Sequence, residues 1–233
     1  MKVLTPNEAL DIAIGLETKA ICQDNDRIKS KLLAKARAVL ENSLIHNQNH
    51  SNLHHALGLC WYWEKTWTSE AKELIEKSFS RAAQLDESNQ YATLFLAHFY
   101  FDEARYEEAL KLFLKIDDSY FEAQEQKYRV LKNHELIICC RLYLNPNEVS
   151  FEEIDNLCSE YENTESFDVP VPQEIVGCLA KLITKETKEI NRAAERVILM
   201  AKRVGFEKAK SIEDNLRLIT DVTRYCAESA LRR

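Results

Sequence analysis

Apolar residues recur every three or four positions along most of the chain, the period of a helix with one buried face. Thr5-Pro6-Asn7-Glu8 is a helix start: Thr5 can cap, Pro6 suits the first helical position and Glu8 completes a capping box. Leu10 and Ile14 follow at helical spacing. Asp24 or Asn25 can cap a second helix with Ile28, Leu32, Leu33, Ala36, Leu40 and Leu44 as its stripe. The polar run 47–51 reads as a turn, and a third helix is expected at about 52–65. Thr68 or Ser69 caps a fourth, whose stripe is Leu74, Ile75, Phe79, Ala82 and Ala83.

The pattern continues through 90–122 as two helices around a turn at 102–105. One long helix is expected over 124–144, ended by Asn145-Pro146-Asn147. Ser150-Phe151-Glu152-Glu153 is a second capping box and opens a short helix. Residues 163–171 read as a linker, with Pro170 and Pro172 as breakers. Helices are expected at 173–184, at 186–204 with Gly205 as C-cap, and at 211–232. The expected fold is all-α with ten or eleven helices, in a repeat region at 1–163 and a C-terminal hairpin and capping helix at 173–233.

Residues 90–122 also carry a spaced signature. Leu96, Ala97, Tyr100, Ala109 and Phe113 stand where a tetratricopeptide repeat places its large and small residues, with Tyr106 at its turn. Leu57-Gly58 and Trp61 repeat the first half one hairpin earlier, and Ile75, Phe79 and Ala82 repeat the second half around a longer tip near Trp67. The segment 51–123 therefore resembles the tetratricopeptide repeat family, and 1–50 resembles a diverged first hairpin. The resemblance implies a right-handed superhelical stack of antiparallel helix hairpins with a C-terminal helical cap. It also implies that the first helix of each hairpin lines a concave groove for a peptide or partner helix. Carried over by position, the groove residues are Asn52, His55, Leu59 and Tyr62, then Tyr91, Leu94, His98 and Phe101, then Tyr128 and Lys132 with Glu125 and Glu135 beside them. Of the positions where one subfamily clamps a terminal carboxylate (His55, Leu59, Phe95, Glu125 and Arg129), only Arg129 has a suitable side chain.

Composition removes several alternatives. The chain has 233 residues but only 4 Gly, at 15, 58, 177 and 205, so no glycine-rich phosphate loop or nucleophile elbow can be written. With only 4 Pro as well, a turn-rich β-sandwich or barrel is not expected. The net charge is −7, and it is uneven: 51–123 and 124–168 each carry −6, while 169–233 carries +4. An acidic middle does not suit a nucleic-acid groove, so no nucleic acid is expected there. The basic final third keeps a nucleic-acid-linked regulator as an alternative, and the opposed charges allow self-association into a homo-oligomer. No apolar run is long enough for a membrane span, no leader is read in 1–6, and the 7 Cys lack any CxxC pair. Reduced thiols in the cytoplasm are the expectation.

Candidate chemistry is sparse. His46, His50 and His54 fall four residues apart, with His55 beside them, and one continuous helix would gather them into a metal face. The polar residues between them favour a turn that scatters the rings. A metal or enzymatic site at His46–His55 is the alternative to a non-enzymatic protein-binding scaffold, adaptor or assembly chaperone, for which no cofactor and no metal are expected. Trp61, Tyr62, Trp63 and Trp67 form a dense aromatic cluster, read either as hairpin core or as a binding anchor.

Overall fold

Side-chain caps open four helices at the positions the sequence marks. The computed structural model describes residues 4–164, 172–182 and 188–203, and every regular element among them is helical. Helix α1 is Pro6–Ile21, opened by the Thr5/Glu8 capping box. Asn25 caps α2, Asp26–Leu44, and α3 is Ser51–Tyr62. Thr68 caps α4, Ser69–Leu85, and Asn89 caps α5, Gln90–Asp102. Next come α6, Tyr106–Phe113, and α7, Asp118–Glu122. After these, α8 is Lys127–Leu144, and a 3-10 turn, Pro146–Glu148, leads to α9, Phe151–Glu162, with the Ser150/Glu153 box. The last described helices are α10, Gln173–Leu182, and α11, Lys188–Arg203. The helix expected at 211–232, Gly205 and nearly all of the expected linker lie outside the described residues. No helix among the described residues is long and apolar enough to cross a membrane.

Two expectations change. The second helix expected within 90–122 ends at Phe113, and a separate helix follows at Asp118. The long helix over 124–144 begins only at Lys127, and a five-residue helix, α7, precedes it. Between them Glu125 adopts φ 58°, the left-handed region, and Gln126 N–H returns to Phe121 O at 2.9 Å. This is a helix stop that usually carries glycine, and the sequence offers no Gly or Pro to mark it. Ala104 does the same after α5, at φ 58°, with Arg105 N–H on Tyr100 O at 2.8 Å.

The chain divides into two compact units, Met1–Ile116 and Asp117–Arg233. In the first, α1 packs on α2, α3 on α4 and α5 on α6, and each hairpin packs on the next through α2–α3 and α4–α5. Helix α3 also touches both α1 and α5, so the three odd-numbered helices lie side by side. Ala9, Ala13, Ala36, Leu40, Leu53, Ala56 and Cys60 form one buried cluster, and Ile75, Phe79, Leu96 and Phe99 form another. In the second unit α8 is central and contacts α7, α9 and α10, while α11 packs on α9 and α10.

Candidate functional site

The expected groove residues of the first unit lie on neighbouring helices because α3 and α5 are adjacent, and polar groups fix that adjacency. Asn89 caps α5 by accepting Ala92 N–H at 3.1 Å, while its Nδ2 donates to Ser51 Oγ at 2.9 Å and Asn52 Oδ1 at 3.1 Å. Ser51 in turn donates to Ala82 O at 2.8 Å. One buried side chain therefore ties the starts of α3 and α5 to the end of α4.

Below that anchor the rings form a continuous raft. The His55 ring lies 5.9 Å from Phe79, 6.2 Å from Tyr91 and 5.7 Å from Phe95. Phe95 is the hub: it also meets Tyr62 at 6.0 Å, Trp63 at 6.2 Å, Phe79 at 5.9 Å and His98 at 6.0 Å. Tyr62 donates its hydroxyl to Asp102 Oδ2 at 2.5 Å, which joins the far ends of the two helices. Leu59 packs against the Ile75–Phe99 cluster. His98 meets Phe113 edge-on at 5.5 Å, and Phe101 meets Tyr106 at 5.6 Å. Asn52 is exposed, and His55, Leu59, Tyr62, Tyr91, His98 and Phe101 are half-buried.

Leu94 departs from the expectation. It is only 2% exposed and belongs to the core, not to a surface row. Helix α5 is apolar on nearly all sides, so two of its faces are buried and one spacing rule does not sort them. Phe95, the hub of the raft, stands in the same apolar run; its repeat position marks it only as a clamp position without a suitable side chain. Tyr128 and Lys132 belong to the second unit. The Arg129 guanidinium lies 5.1 Å from the Tyr128 ring centre, and Lys132 Nζ reaches Glu135 Oε2 at 3.0 Å and Glu174 Oε1 at 3.2 Å.

The tryptophans serve the fold of the first unit. Arg37 stacks 3.9 Å over Trp61 and pairs with Glu64 at 2.7 Å, Trp63 donates to Glu17 Oε1 at 2.9 Å, and Trp67 donates to Tyr62 O at 3.0 Å. Burial pushes the Glu17 carboxyl above its ordinary pKa, against the hydrogen bond from Trp63. The break between α2 and α3 separates the histidines: His46 follows α2, His50 precedes α3, His54 Nε2 sits 2.8 Å from Gln48 O, and His55 joins the raft. Among the described residues no group of three or more His, Cys, Asp or Glu could hold a metal ion.

The second unit is organised around a buried carboxylate that the sequence reading placed at a groove edge. Glu135 is 0% exposed. Its Oε1 accepts the N–H groups of Glu174 at 2.5 Å and Ile175 at 3.0 Å, in the first turn of α10. Its Oε2 accepts from Lys132 Nζ and from the Tyr161 hydroxyl, each at 3.0 Å. Burial raises its pKa, while Lys132, the Ile175 N–H and the Tyr161 hydroxyl pull the other way. In α11, Arg196 pairs with Asp155 and, at 3.1 and 3.0 Å, with both oxygens of Glu162, and Arg192 lies over the Phe151 ring. These cations of the basic third are thus turned onto the chain's own acidic helix. No family model matches the chain, and no curated protein matches it.

Proposed function

We propose that the first unit is a non-enzymatic protein-binding module of the tetratricopeptide kind, a scaffold or adaptor that receives a peptide or helix of a protein partner along the α3–α5 face, in the cytoplasm. The observation that carries this reading is the raft itself: His55, Tyr62, Tyr91, Phe95 and His98 form one ring network across two helices, on residues that are half-buried. Large rigid rings supply contact area at little cost in side-chain entropy, and imidazole and phenol groups supply hydrogen bonds to a bound backbone. The successive pairing of α1–α2, α3–α4 and α5–α6 supports the repeat reading, as does the close approach of α3 to α4 at Gly58.

The test is site-specific photo-crosslinking in cells of origin. A benzophenone side chain at Phe101 or Tyr91 should give one discrete crosslinked protein, while the same group at Lys31, exposed on α2, gives none. Crosslinks of equal pattern from Lys31 and Phe101 refute the assignment of the face. The double substitution Tyr91→Ala with Phe101→Ala should abolish capture and leave the unfolding transition nearly in place.

A further inference from the structure

His134 of α8 stands between carboxylates from two other helices. Its Nε2 lies 2.8 Å from Asp118 Oδ2 on α7, and its Nδ1 lies 3.0 Å from Glu160 Oε2 on α9. An ionised carboxylate only accepts, so both contacts need an N–H from the ring. A neutral imidazole has one N–H and the imidazolium has two. The full three-helix junction therefore exists only with His134 charged. Asp118 depends on it, because its other oxygen, Oδ1, is buried without a hydrogen-bond partner.

Helix α7 is suited to respond. Five residues are too few for a helix to persist alone, so α7 is held by what it docks on. The turn that follows it holds the left-handed Glu125, and it carries Phe121 fully buried. We propose that His134 is a pH-sensitive latch: protonated, it fastens α7 to α8 and α9, and on losing its proton it lets α7 go.

Several charges on α8 and α9 are engaged elsewhere. On α8, Lys132 and Glu135 are engaged with each other and Lys132 also with Glu174 of α10, while Arg141 pairs with Glu153. On α9, Asp155 and Glu162 are taken by Arg196. Burial opposes the charge on His134, but Glu160 and Asp118 outweigh it, so the ring titrates above the ordinary 6.5. A folded-state value above the unfolded one means that the latch contributes fully below pH 6.5 and fades as pH rises through the folded-state midpoint.

The experiment is an NMR titration of the full chain from pH 5.5 to 9. The His134 ring should titrate above 6.5, and the α7 amides of Ser119–Glu122 should shift with the same midpoint. After correction for intrinsic exchange, protection of the Phe121 amide should fall about fivefold between pH 6 and pH 9. His134→Arg, which keeps a cation and donors for both carboxylates, should hold α7 protected at pH 9, and His134→Gln should leave it weakly protected throughout. A His134 midpoint at or below 6.5, or α7 amides indifferent to its titration, overturns the proposal, and both are read on the unsubstituted chain even if neither variant folds.

Discussion

The Phe79 ring occupies the space that a side chain at position 58 would fill. A Cβ built on Gly58 lies 2.6 Å from both Cδ1 and Cε1 of Phe79. Gly58 lies on α3 and Phe79 is a fully buried core ring of α4, so the missing methyl sets how closely the two helices of this hairpin approach. Phe79 cannot yield easily, because His55, Tyr62 and Phe95 surround its ring. Gly58→Ala should therefore destabilise the protein by about 1–3 kcal/mol through overpacking, although alanine is the better helix former. Gly15→Ala is the matching control, since Gly15 has nothing within 4 Å of its added methyl and is exposed on α1. It should gain about 0.5–1 kcal/mol. Urea unfolding of both variants reads the two signs, and a gain for Gly58→Ala would show that α3 and α4 are further apart than described.

Among the described residues, two helix stops use side-chain-bearing residues where glycine is the usual solution. Ala104 and Glu125 both sit at φ 58°, where a Cβ crowds the backbone. Both are exposed, so neither side chain contributes packing in exchange. Ala104→Gly and Glu125→Gly should each raise stability, by about 1 kcal/mol. The thermal midpoint of each variant checks this, and a fall at either site would mean that its backbone is not left-handed.

The Glu125 stop marks where the sequence falls short, whereas the turn that holds Ala104 is the one expected at 102–105. Helix starts were legible because each cap is a chemical signature: the Thr5/Glu8 and Ser150/Glu153 boxes both form as their residues imply. The stripe of α4 was legible too, and Ile75, Phe79 and Ala82 are buried as a set. A left-handed glutamate carries no such mark, so nothing in the sequence announces the turn after α7, although Asp117 caps that helix by accepting Ser119 N–H at 3.0 Å. At the site, spacing brought His55, Tyr62, Tyr91 and His98 onto adjacent helices, but it could not sort α5. Leu94 and Phe95 are neighbours in one apolar run, and only tertiary packing makes one core and the other the centre of the ring network. Repeat position puts Glu135 on the surface because the α10 N–H groups that donate to its carboxylate lie about forty residues away in sequence.

Leu94 and Leu59 turn that distinction into a measurement. Leu94 is 2% exposed, whereas Leu59 is half-buried at the edge of the Ile75–Phe99 cluster. Leu94→Ala should cost about 2–5 kcal/mol, the range for a truncated core leucine, and Leu59→Ala clearly less. Equal losses in guanidinium unfolding would place Leu94 back on the surface row where its repeat position had put it.

Glu135 is the residue on which the second unit depends most. Removing its carboxylate leaves the Lys132 ammonium, the Tyr161 hydroxyl and two N–H groups at the start of α10 without their shared acceptor. Glu135→Ala should therefore cost about 3–5 kcal/mol, the range for stripping one partner from a buried charge pair. Glu135→Gln keeps a carbonyl oxygen for the α10 N–H groups but faces Lys132 and Tyr161 with an amide that can only donate on that side, so its loss should be smaller, about 1–3 kcal/mol. The order distinguishes two roles. If the carboxylate serves chiefly as a cap for α10, Gln recovers most of the stability lost in Ala. If it serves chiefly as the counter-charge of Lys132, the double variant Glu135→Gln with Lys132→Met recovers it instead. Limited proteolysis locates the damage: new cleavage should appear within Gln173–Leu182 before any cut in the first unit, because the tie that is lost joins α8 and α9 to α10 alone.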